Sequence, residues 1–113
     1  MKSFEDRQKG FEAAFQRDQE LMFRIGARRN RLFGLWAATR LGLTAGEAAE
    51  AYAKTVVAAD FEEPGDDDVI RKVLGDLTEK GVGLTEAEVR AEFARAAAEA
   101  RKQLTEGIVT SSK

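Results

Sequence analysis

The first forty residues of the chain carry an apolar stripe longer than a compact domain of this size can cover. Phe4, Phe11, Phe15, Met22, Ile25, Leu32, Phe33 and Trp36 fall within roughly a 100° arc at 100° per residue, and no proline interrupts the run. A single helix from Ser3 to Leu41 is about 55 Å long at 1.5 Å per residue. A compact domain of 113 residues has a radius of gyration of roughly 13 Å and a diameter near 35 Å. About a dozen residues must therefore overhang or fold back. Partner helices of roughly 15 to 20 residues reach only the second half of the stripe. The Met22-to-Leu41 half, with its dense Leu32, Phe33, Leu35 and Trp36, is thus expected as the first helix of a bundle, and residues 1–18 as an arm.

The remainder reads as helix too. One proline, 19 alanines and few β-branched residues (seven Val, three Ile, seven Thr) favour helix over strand. Gly42, followed by Leu43, has the form of a C′ glycine, and Thr44 with Glu47 that of a capping box. Asp60 to Asp68 holds six carboxylates around Pro64 and Gly65, a turn whose last acids suit a helix N-terminus. Gly81 and Gly83 close a third helix, and Thr85 with Glu88 opens a fourth. The predicted helices lie near 20–41, 45–60, 66–80 and 86–103. Their one-sided stripes are Ala45, Ala48, Ala49, Tyr52, Val56 and Ala59; then Val69, Ile70, Val73, Leu74 and Leu77; then Val89, Phe93, Ala96, Ala97, Ala100 and Leu104. Short links between one-sided helices imply antiparallel neighbours, so the fold class is all-α, a small four-helix bundle over residues 19–104 with an N-terminal helical or disordered arm. Residues 105–113 are expected as a fraying, disordered tail.

Two readings of the arm stand side by side. An isolated helix of about 15 residues is marginal in water, and Gly10 costs about 1 kcal/mol more, so alone the arm is expected to be largely unfolded. Three phenylalanines at helical spacing among mixed charges fit a segment that folds when its stripe meets a partner groove. The other reading folds it back as a fifth helix over a thin core.

Composition removes most chemistry. With no cysteine and no histidine, disulfides, thiolate metal sites, the usual general base and a near-neutral pH switch are absent. The acidic stretch does not follow the spacing of a calcium loop, and no glycine-rich phosphate cradle with its lysine is present. Neither metal nor required cofactor is expected. Activity as an enzyme would rest on carboxylates or on Lys54, Lys72 and Lys80, which no spacing pairs. Residues 1–31 hold eight Lys/Arg against five Asp/Glu, residues 32–80 five against ten; with a pI near 5.3, nucleic acid is not an expected partner. Arg24, Arg28 and Arg31 share one face at i, i+4 and i+7, where an anion or an acidic surface can be gripped. The competing reading is that this cluster, which includes Arg29, pairs with the acidic stretch. No ~18-residue apolar run and no leader pattern is visible, so a cytoplasmic chain without membrane insertion is expected.

The strings ARRNRLFGLWAATRLGL (27–43), AYAKTVVAADFEEPGDDDVIRKVL (51–74) and FEDRQKGFEAAFQRDQEL (4–21) resemble the zeta subunit of alphaproteobacterial ATP synthases. The likeness covers about residues 4–104. It implies a four-helix bundle that binds the catalytic head of the F-type ATP synthase, peripheral to the inner membrane and monomeric when free, and blocks ATP hydrolysis with its N-terminal segment. By resemblance the inserting positions are Phe4, Asp6, Arg7, Phe11 and Phe15, with Arg17 and Asp18 at the segment's end. It also implies weak ATP or ADP binding by the bundle, which the arginine face permits; the alternative function is an adenine-nucleotide-responsive helical binding module without strong inhibitory activity. The chain departs from the pattern at Arg17, where the family carries a histidine, and at Gly10, where it carries a helix former. Control by imidazole protonation is therefore lost.

Overall fold

The computed structural model describes the backbone of residues 4–60 and 66–111 and the side chains of 17–60 and 66–105. Among these residues it has four helices and no strand: α1 (Phe4–Arg40), α2 (Gly46–Ala59), α3 (Asp67–Glu79) and α4 (Glu86–Ser111). They pack as a small four-helix bundle. The turn expected around Pro64 and Gly65 lies outside the described residues.

Glycine ends two helices as the sequence suggests. At Gly42 the backbone takes φ +82°, which lets the Leu43 N–H donate to the Ala38 carbonyl (2.8 Å) and the Gly42 N–H to Thr39 (3.1 Å). Gly81 repeats the device at φ +83°, with Val82 N–H on Leu77 (2.9 Å) and Gly81 N–H on Thr78 (3.0 Å). The predicted box opens α4: Glu88 N–H donates to Thr85 Oγ1 (3.1 Å) and Thr85 N–H to Glu88 Oε1 (3.4 Å). The box predicted at Thr44 and Glu47 does not form. Ala45 is the N-cap of α2, with no side-chain cap bond. A cap contributes about 1 kcal/mol, less than the burial of Ala53, Val56 and Ala59, so packing sets where α2 starts. Helix α4 continues through Gly107 to Ser111, where a frayed tail was expected; extending a formed helix avoids the nucleation cost, and one glycine does not stop it.

Phe33 is the centre of the core. It is fully buried, stacked on Trp36 (centroids 5.9 Å) and edge-on to Phe93 (5.2 Å). The α3 stripe is buried against it, with Val69, Ile70, Val73 and Leu77 inside and Leu74 alongside. Helices α1 and α2 meet where both are small: a Cβ added at Gly34 would lie 2.8 Å from the Ala53 Cα and 3.2 Å from the Val56 Cβ. Ala37 and Ala38 are buried on the same side. The large-residue stripe did not reveal this contact.

Helix α1 is one unbroken element of 37 residues. The structure therefore has no separate fifth helix among the described residues, and the arm's backbone is helix rather than coil, because a segment that continues an existing helix does not have to nucleate one. The molecule measures 66 × 32 × 24 Å with a radius of gyration of 17.8 Å, well above the roughly 13 Å of a compact chain this long. Burial on the described part of α1 begins at Ile25. Arg17 to Glu20 are exposed and Leu21 is half-buried. Met22, expected in the bundle half, is 60% exposed; the last turn of α2 reaches it only across a hollow that Val57 and Asp60 share with it.

Candidate functional site

The arm residues lie on the helix that also builds the core. Phe4, Asp6, Arg7, Phe11 and Phe15 belong to α1, and their side chains lie outside the described residues. Successive 100° steps put positions 4, 11, 15 and 22 within about 20° of one line along the helix. Arg17 and Asp18 are exposed and make no hydrogen bond or ion pair among the described residues.

The arginines do not act as one face. Arg24 is exposed and makes no hydrogen bond or ion pair among the described residues. Arg28 Nη1 donates to Gln103 Oε1 of α4 (3.0 Å), whereas Arg31 Nη2 donates to Glu50 Oε1 of α2 (2.6 Å). Two of the three guanidinium groups are thus engaged, toward different neighbours. The pairing with the acidic stretch is made by Arg29. Its Nη1 lies 3.3 Å from Asp66 Oδ1 and its Nη2 3.8 Å from Asp60 Oδ2, so one cation ties both ends of residues 61–65. Its Nε donates to Asn30 Oδ1 (3.0 Å), and its guanidinium sits 4.5 Å over the Phe93 ring. The side chain is only 15% exposed. Helical phase held the clue, since position 29 falls about 20° from the apolar line through Phe4, where a surface arginine does not belong.

A second cluster joins α2 to α3. Tyr52 Oη donates to Asp76 Oδ2 (2.8 Å), and Lys72 Nζ donates to the same oxygen (3.0 Å) from 5.4 Å over the tyrosine ring. Burial, then the hydrogen bond and negative charge of Asp76, push ionisation of the Tyr52 hydroxyl well above its ordinary range. Lys72, four positions before Asp76 on the same helix, is thereby committed to structure. With Leu41, Leu43, Thr55 and Lys80 these side chains line an open cleft of about 510 Å³. No local pattern marks it, because Tyr52 and Asp76 are 24 positions apart.

Among the described residues no group of three acidic, cysteine or histidine side chains is placed to hold a metal ion. None of their helices is long and apolar enough to cross a membrane.

Comparison with known proteins locates the chain. A protein solved by solution NMR shares 52% identity with it at a TM-score of 0.67, over 77% of this chain and 98% of the other. No curated protein matches. A family model described as ATPase inhibitor subunit zeta matches residues 1–103. That span takes in the arm, the Arg29 tie and the α2–α3 cleft, and by it the chain belongs to the ATPase inhibitor subunit zeta family.

Proposed function

We propose that the chain inhibits ATP hydrolysis by an F-type ATP synthase, with the N-terminal part of α1 docking as a helix into a catalytic interface of the head. The observation that carries this reading is a single helix from Phe4 to Arg40 whose described buried side chains begin only at Ile25. A helix held at one end by a folded bundle meets its partner with much of its ordering entropy already spent, so more of the contact energy appears as affinity. Catalytic subunits of a rotary motor open and close around nucleotide, and a helix wedged between them holds one state. The inhibitor needs no chemistry of its own. Phe4, Phe11 and Phe15 supply the apolar line, and Asp6, Arg7, Arg17 and Asp18 the charged flanks. The protein works as a monomer at the membrane periphery, held there by the synthase. Adding the full chain to the cognate ATPase head should suppress hydrolysis, and a chain lacking residues 1–17 should not; equal suppression by both would refute the reading.

The α2–α3 cleft favours a second, weaker role, binding ATP or ADP with low affinity. Its apolar wall, the Tyr52 ring and the exposed Lys80 suit a base and a phosphate better than Arg24, Arg28 and Arg31, two of which are engaged. Titration with ATP while recording amide shifts decides it. Shifts around Tyr52 and Lys80 support the cleft, shifts around Arg24 and Arg28 the arginine face, and no shift at millimolar nucleotide removes the role.

A further inference from the structure

We infer that the surface docking on the synthase head extends past the arm to Met22 and Phe23, and that the hollow they rim with Gly26, Ala27 and Val57 receives an apolar side chain of the head. This rests on the inhibitory reading above and deepens it. Met22 and Phe23 are the exposed large apolar side chains among the described residues, at 60% and 62%. Their place on α1 fixes the occupant. Position 22 falls on the same line as positions 4, 11 and 15, and α1 is unbroken between them. A wall that covers position 15 is about 10 Å from Met22 along the helix axis, within the span of an ordinary interface. The hollow holds about 190 Å³, room for one large side chain, and the Arg29–Asp60 pair closes its polar edge.

The opposite side of the helix states what else the partner must offer. Arg17 and Arg24 are exposed and unpaired among the described residues, and their positions fall about 140° to 160° around the helix from the Met22 line. Glu20, also exposed, falls on that same side, so the helix is apolar along one line and carries charges of both signs along the other, which fits between an apolar wall and a polar one. A cleft between two subunits of the head provides two walls; a flat surface provides one.

The test uses the full-length chain and the purified cognate ATPase head. Failure of the wild-type chain to inhibit would overturn the inhibitory reading and this inference with it. Given wild-type inhibition, a Met22→Ser, Phe23→Ser double variant should bind the head about tenfold or more weakly, mainly through faster dissociation, and reach the same inhibition at saturation. Its helical circular dichroism at the assay temperature should match the wild type, so that weaker binding is read on a folded chain. Gly26→Leu fills the hollow from within: a Cβ there meets only Arg29 Nη2, at 3.9 Å, so the bundle should stay folded and binding should fall similarly. Wild-type affinity in both variants, with inhibition by the parent intact, would overturn this inference alone. So would a wild-type dimer in sedimentation that the double variant dissolves while affinity for the head is unchanged.

Discussion

Residues 17–24 and residues 25–38 are consecutive stretches of one helix with nearly opposite surroundings. In the first, Arg17 to Glu20 and Met22 to Arg24 are exposed and only Leu21 is half-covered. In the second, Ile25, Asn30, Phe33, Ala37 and Ala38 are buried, and Gly34 touches the backbone of a neighbouring helix. Both carry apolar residues at helical spacing, so periodicity alone does not separate them. Length does: the other three helices bound the core, and the stripe outruns them. The lesson is that an amphipathic helix states only that something covers it, and that the size of the folded unit decides whether the cover comes from within.

This contrast can be broken by matched substitutions on its two sides. The largest difference should come from Phe33→Ala against Met22→Ala. Removing the ring that packs on Trp36 and Phe93 should cost about 3–5 kcal/mol, whereas the exposed methionine should change stability by about 0.5 kcal/mol or less, read from urea midpoints. Glycines give the next pair. Gly34→Leu drives a side chain into Ala53 and Val56 and should cost about 1–3 kcal/mol, while Gly26→Ala, whose Cβ would make an ordinary contact with Arg29 Nη2 at 3.9 Å, should stabilise by up to about 1 kcal/mol. Arginines follow. Arg29→Met strands Asp60 and Asp66 and should cost about 1–3 kcal/mol, and Arg24→Met close to none.

The smallest effect expected within the bundle belongs to Tyr52. Its ionisation is raised above the ordinary tyrosine value of about 10 in the folded state, so above that pH the unfolded chain gives up a proton that the folded chain keeps. Stability tied to this group is therefore full below pH 10 and falls as pH rises beyond it. Tyr52→Phe should lower stability at neutral pH by about 1 kcal/mol and flatten that alkaline decline, measured as urea midpoints from pH 8 to 11.

Local signals proved the most legible. Gly42 and Gly81 could be read because positive φ is a property of one residue, and Thr85 with Glu88 because a capping box spans four positions. The α3 stripe was complete because its face is made of large side chains. The α1–α2 contact was not, since Gly34, Ala37 and Ala53 act by being small and leave no apolar signal. At the candidate site the arm was marked by its excess length and by resemblance to the family. Among four arginines within eight residues, helical phase marks Arg29 as the one on the apolar line, but its partners Asp60 and Asp66, and Glu50 for Arg31, are set by tertiary packing. The Tyr52–Asp76–Lys72 cluster is assembled from two helices, and no window along the sequence contains it with its geometry.

If stability resides in the bundle and inhibition in the overhang, truncation must separate the two. The decisive comparison sets the full chain against a chain beginning at Asp18, each titrated against ATP hydrolysis by the cognate head and each melted alone. Truncation should abolish inhibition while the melting midpoint stays where it was. Undiminished inhibition by the truncated chain, or a midpoint that falls in step with lost inhibition, would contradict it.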